Sequence, residues 1–377
     1  MEKTTRRQWM ERSAAGGLGF LAPAVARAAA VSPDLKITRT EVFQVRIPYA
    51  AHVRENMLEN YRRENMNRPY YETWIVRLYA GGLVGIGEGG TQDPRGGLGR
   101  LAGRSVWSLL HNASAGPAAM IAVYDLAAQA AGLPVARLFS PAPRPTIRQI
   151  WWSHSFRPKL MQAEARRGIE AGYTVHKMKA RPYEDPAEQV AAIAEVAPHD
   201  YTILADANGS FVTPEATLAV AGALKRWFQV KGLEQPIAHE DIVGYRRIRR
   251  ELPLRLAVHW EGVDARSFLL ESLCDAFVVE DWQWGPALVQ KSALCQSTGQ
   301  QLWVENGLHT GISQVFQAHM AAALPNVEYT ISLTHIGEDD LVNEPFVVAK
   351  GGFYKVPAGP GLGVTLDAKA AEKYRIA

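Results

Sequence analysis

The sequence predicts an α/β fold: a closed (β/α) barrel of the TIM type, preceded by a smaller α+β part. Three observations predict it. From about residue 146 to 335, a short apolar strand, a polar loop and an amphipathic helix recur roughly every 20 to 30 residues. Such alternation argues for a parallel sheet. About eight strand candidates occur, which favours a barrel over an open sheet. No Gly-x-Gly-x-x-Gly follows the first strand, which counts against a dinucleotide-binding sheet.

In chain order, residues 1–30 read as an export signal. Lys3, Arg6, Arg7 and Arg12 make a basic start, and Thr5-Arg6-Arg7-Gln8-Trp9-Met10 resembles a twin-arginine signal. Ala26-Arg27-Ala28 offers a cleavage site. A periplasmic or secreted enzyme is therefore expected, although a basic tail would have the same composition.

Residues 31–145 read as the α+β part. Segments 35–43, 71–79 and 84–88 alternate like strands, and Ala80-Gly81-Gly82 supplies a turn between the last two. Residues 52–68 read as a long polar loop, either a lid carrying Arg54 or a solvated connection. Residues 117–132 read as an alanine-rich helix ended by Gly132. The tail, 340–377, holds a hairpin at 344–348 and 351–357 and is expected to return to the first part.

The barrel, residues 146–339, has strand candidates at 147–152, 174–178, 202–205, 232–233, 254–258, 276–279, 301–304 and 327–332. Active groups of such barrels gather at the C-terminal strand ends. Those ends carry Lys177 and Lys179, Asp206, Glu234, His259 or Glu261, Glu280 or Asp281, and Asn306 or His309. Residues two apart on a strand share a face, so both lysines can enter one site.

The bulk numbers bound the partners. The chain has 377 residues with 41 basic and 38 acidic side chains, a net charge of +3. So small a surplus gives no reason to expect nucleic acid. Past the N-terminus no apolar run approaches the roughly 18 residues of a spanning helix, so no membrane partner is expected. Cys274 and Cys295 are read as buried thiols, or as one bridge.

At these residues the sequence resembles the enolase superfamily, in its mandelate racemase and muconate lactonizing enzyme branch. The resemblance rests on Glu164 to Lys179, Leu204-Ala205-Asp206-Ala207-Asn208-Gly209, Gly232-Leu233-Glu234-Gln235-Pro236 and His319 to Asn326. Glu344-Pro345-Phe346 and Gly359-Pro360-Gly361-Leu362-Gly363-Val364 extend it. It implies a modified barrel with an α+β capping domain built from the N-terminal and C-terminal segments. It also implies a small-molecule substrate, a homo-oligomer, and removal of a proton next to a carboxylate, as in sugar-acid dehydratases and racemases. Lys179 matches the base and Lys177 its neighbour, expected to lower its pKa. Asp206 and Glu234 match two metal ligands, and Mg2+ is the metal implied.

Two departures stand out. Where a third carboxylate ligand is expected, Ala257 and Val258 cannot bind metal. His259 is the replacement and Glu261 the alternative. Imidazole would open the site to Mn2+, Fe2+ or Zn2+. On the opposite face Asn306 stands where a histidine is often found, so His309, with Glu280, is the catalytic candidate there; otherwise Lys179 works alone. Arg54, Asn208, Asn306 and Trp152 are the substrate-binding candidates. A barrel that has lost its full metal site and only binds a ligand is the competing reading.

Overall fold

The computed structural model describes residues 34–90, 92–110 and 116–376. The expected export signal lies outside them. The first part is an antiparallel sheet of β1 (Arg39–Ile47), β2 (Tyr71–Ala80) and β3 (Leu83–Glu88), in that order. Gly81 and Gly82 turn β2 into β3 with φ of 56° and 80°, a region that glycine enters at little cost. The helix Pro117–Ala131 lies on this sheet and ends at Gly132, which is left-handed at φ 67°. Its approach is close because both surfaces are small. A Cβ on Gly87 would overlap the carbonyl of Ala118, and one on Gly85 that of Ala122.

Residues 52–68 correct the expectation of a loop. Arg54–Arg63 is a helix. Val53, Met57, Asn60 and Tyr61 recur at helical spacing and are buried, while Glu55, Arg62 and Arg63 stay at the surface. The many charges hid that stripe.

The barrel strands are β4 (Thr146–Ser153), β5 (Val175–Lys179), β6 (Thr202–Asp206), β7 (Val230–Glu234), β8 (Arg255–His259), β9 (Ala276–Val279), β10 (Gln301–Val304) and β11 (Val327–Ser332). Each pairs in parallel with the next, and β11 pairs with β4 to close the ring. Helices between them lie outside. Pro186–Ala194, Pro214–Leu224 and Pro286–Thr298 each begin with proline, which is preset for a first turn.

The tail divides its contacts. The hairpin of β12 (Val348–Ala349) and β13 (Phe353–Lys355) pairs antiparallel with β4, extending the barrel sheet. The helix Ala368–Tyr374 packs on β1. Cys274 and Cys295 are buried free thiols. Among the described residues no helix is long and apolar enough to cross a membrane.

Candidate active site

Strand register sets which side chains enter the barrel mouth. Lys179 pairs with Asp206, and Asp206 with Glu234. Glu234 pairs with Ala257, so His259, two residues on, shares the inward face. His259 pairs with Val278, two before Glu280, and Val278 pairs with Trp303, two before Glu305. Trp152 pairs with Lys177. One inward row therefore carries lysines, carboxylates and an imidazole around the mouth.

Lys177 stands at its centre and is fully buried. Its ammonium donates to Glu234 Oε1 at 2.7 Å and to Glu305 Oε2 at 2.9 Å, and lies 3.1 Å from Asp206 Oδ2. Burial alone would lower its pKa, but Asp206 and Glu234 outweigh that and hold it well above the usual lysine range. The same field acts on the acids. Burial opposes ionisation of Asp206, yet Lys177 and Lys179 keep it well below the ordinary range, and they lower Glu305 too. Glu234 goes the other way, raised by burial and by Asp206. Lys179 donates to Asp206 Oδ2 at 2.5 Å and to Asn208 Oδ1 at 2.6 Å.

His259 spans two carboxylates. Its Nε2 lies 3.0 Å from Glu234 Oε1 and its Nδ1 3.2 Å from Glu280 Oε1. Burial would depress its pKa, but hydrogen bonds to Glu234 and Glu280 push it up to about 10. Asp206, Glu234 and His259 each offer one atom to a common point, all within 4.8 Å of one another. Two observations favour a cation there. Glu234 Oε2 is buried without a hydrogen-bond partner. The 3.0 Å spacing of Nε2 and Oε1 equals the edge of an octahedron with bonds of about 2.1 Å. Two carboxylates and an imidazole fit a divalent ion.

A second buried pair lies under the first sheet. His309 Nε2 is 2.8 Å from Asp281 Oδ2, and its Nδ1 is 3.4 Å from Thr73 Oγ1 of β2. Burial would lower the His309 pKa, but Asp281 and Glu88 raise it.

The family described as Enolase C-terminal domain-like matches residues 160–370, more than half of the chain. The chain belongs to the enolase superfamily. It is 30% identical over 217 residues to an N-succinylamino acid racemase of Thermus thermophilus, covering 55% of this chain and 56% of that one. It is 24% identical over 277 residues to a D-gluconate dehydratase of Thermoproteus tenax, covering 68% and 55%. The matched region is thus a little over half the length of these relatives. In fold it is similar to the L-Ala-D/L-Glu epimerase of Bacillus subtilis. That likeness has a TM-score of 0.74 at 20% identity, covering 88% of this chain and 99% of that one.

Within this superfamily member, Lys177, Lys179, Asp206, Glu234, His259 and Asn208 come together. Glu280 joins them through His259, and the other candidates do not. Glu280 faces His259, and Asp281 takes His309; Glu280 continues the inward alternation of β9, while Asp281 opens a short 3-10 turn. Asn306 is buried and donates to Gln314 and Gln317 of the helix Gly311–Ala323. Arg54 is held by the Tyr49 carbonyl and by Glu338. Glu261 lies outside the metal-binding group. Trp152 is buried, its ring edge-on to His154.

Two residues were missed. Glu305 contacts Lys177, and its signal was parity with Trp303. Arg181 continues the alternation of Lys177 and Lys179. It donates to Asn208 at 2.7 Å and to Glu64, just past the helix Arg54–Arg63, at 2.8 Å. It thereby ties the first part of the chain to the barrel mouth.

Proposed function

We propose that the protein is a metal-dependent lyase or isomerase that removes a proton from carbon next to a carboxylate, with a sugar acid as substrate. The observation that carries this reading is the adjacency of Lys177 and Lys179 to Asp206 and Glu234 on three successive strand ends. A divalent cation held by Asp206, Glu234 and His259 supplies a Lewis acid for the substrate carboxylate. Lys179 is the base, and Asn208 orients its amine. Lys177 balances the acids of the cluster. The Arg181–Glu64 link holds the end of Arg54–Arg63 over the mouth, where it restricts water. The sugar-acid class is supported by the name of the Thermoproteus tenax relative, a D-gluconate dehydratase. The N-terminal Arg6-Arg7 motif further supports work outside the cytoplasm, testable by the mass of the exported chain.

The test is hydrogen exchange at the α-carbon. Candidate acid sugars are incubated in D2O with metal-loaded protein and followed by proton NMR. Loss of the α-proton signal is expected with the wild type and not with Lys179→Ala. No exchange in any acid tried would count against the reading.

One observation favours a second substrate class. An ammonium has three N–H donors, and those of Lys177 face Glu234, Glu305 and Asp206. A substrate carboxylate there would meet Glu305, whereas a neutral carbonyl sugar would not be repelled. Ketoses belong in the same exchange panel, and exchange confined to them would select this class.

A further inference from the structure

We propose that Glu280 is a positioning residue that makes His259 a metal ligand, and that the site it builds takes cations accepting nitrogen as well as oxygen donors. The proposal rests on the reading of His259 as the third ligand.

One ring nitrogen can bind a cation only through its lone pair, so the ring proton must sit on the other nitrogen. A ligating histidine commonly donates that proton to a carboxylate, which fixes both the tautomer and the ring plane. Glu280 Oε1 is placed for that role, 3.2 Å from Nδ1. With the proton held there, Nε2 presents its lone pair toward Glu234 Oε1, 3.0 Å away, and so toward the point shared with Asp206. The neighbouring Asn208 Nδ2 is farther from Nε2, at 3.4 Å. The backbone of His259 is pinned as well, because its N–H donates to Gln235 Oε1 at 3.0 Å. Gln235 in turn donates to the Ile237 carbonyl and to Tyr245 Oη. The residue is thus held at its backbone from the end of β7 and at Nδ1 from the end of β9, the two strands that flank β8.

Two consequences follow for the chemistry. Glu280 is occupied in holding the ring, which removes it from the opposite catalytic face. An O,O,N donor set selects Mn2+, Fe2+ or Zn2+ over Mg2+, since imidazole suits the transition ions and Mg2+ prefers oxygen.

The experiment uses the full chain, stripped with chelator and titrated with Mn2+, free Mn2+ being read by electron paramagnetic resonance. Pulsed measurements on the bound ion report coupling to an imidazole nitrogen. Glu280→Ala is expected to weaken Mn2+ binding by about 10- to 100-fold and to disturb the nitrogen coupling. Glu280→Gln, which keeps an acceptor oxygen, is expected to retain the coupling and most of the affinity. His259→Ala is expected to abolish the coupling and to narrow the preference for Mn2+ over Mg2+. If His259→Ala weakens binding while Glu280→Ala stays within twofold of wild type, the positioning role is overturned and the ligand reading stands. If wild type shows no nitrogen coupling and His259→Ala binds Mn2+ unchanged, the ligand reading falls, and the proposal with it. Circular dichroism confirms folding, and Glu280→Gln carries the test through the coupling should Glu280→Ala not fold.

Discussion

Lys177 and Glu305 form a buried ion pair, Nζ to Oε2 at 2.9 Å, on strands that are not neighbours in the barrel. The same ammonium lies close to Asp206 and Glu234. Lys177→Met would leave three buried carboxylates without their central counter-charge. Removing one partner of a buried pair costs about 3–5 kcal/mol. The expected outcome is a loss of that order in urea unfolding with chelator present, and a smaller loss with saturating Mn2+, which supplies charge to Asp206 and Glu234. An equal loss in both conditions would show that a cation and the ammonium do not share these acids.

Glu164 gives a pH dependence away from the metal-binding group. It is fully buried on the helix Pro158–Glu170, with Arg167 Nε at 3.3 Å and His52 Nε2 at 3.4 Å from its Oε1. Burial pushes its pKa up to about 7, against the pull of Arg167 at 3.3 Å. A carboxyl raised on folding stabilises most when protonated in both states. Its contribution is complete below the unfolded pKa near 4.5 and is lost as pH rises through about 7. One pKa unit is about 1.4 kcal/mol, so the loss is at most about 3.5 kcal/mol. Wild-type stability minus that of Glu164→Gln should therefore fall between pH 4.5 and 7.5 in paired urea titrations. A flat difference would mean that Arg167 and His52 offset the burial of Glu164 in full.

Much of this arrangement was legible in the sequence because strand alternation is rigid. Lys177 and Lys179 had to share a face, and Asp206 and Glu234 had to end adjacent strands. The same rule points to Glu305 through Trp303, whereas Asn306, one residue on, has the opposite parity. Residues beyond the strands escape the rule. Nothing local to His309 says that it meets Asp281 and Thr73, because that meeting depends on how the first sheet seats on the barrel. The helix Arg54–Arg63 was hidden for a different reason. Its buried stripe includes Asn60, which reads as polar but donates to the Ser155 carbonyl at 2.9 Å.

Gly87 tests the seating of the helix Pro117–Ala131. Its hydrogen faces the Ala118 carbonyl, where a methyl would collide with backbone. Backbone cannot move aside as a side-chain tip can, so Gly87→Ala should cost about 1–3 kcal/mol or more. Gly82→Ala has open space and carries only the strain of its φ of 80°. Thermal unfolding of the two variants should rank Gly87→Ala clearly lower. The reverse order would mean that Pro117–Ala131 sits farther from β3 than described.

Glu88 joins the two parts of the chain. Thr310 precedes the helix Gly311–Ala323 but caps it with no side-chain bond. The carboxylate of Glu88, at the end of β3, does so instead. It accepts from Thr310 N at 2.5 Å, Thr310 Oγ1 at 2.6 Å and Ser313 N at 3.0 Å. A helix start leaves N–H groups without partners, and a buried one that loses its acceptor costs about 1–3 kcal/mol. Glu88→Ala should therefore destabilise by at least that amount. Amide hydrogen exchange should accelerate first at Thr310 and Ser313, because the acceptor lost there comes from another strand and not from the helix. Glu88→Gln keeps one acceptor oxygen and should show about half of the loss. Unchanged protection at both amides in Glu88→Ala would mean that the helix start has found another acceptor, and that the first sheet is held to the barrel by its apolar contacts alone.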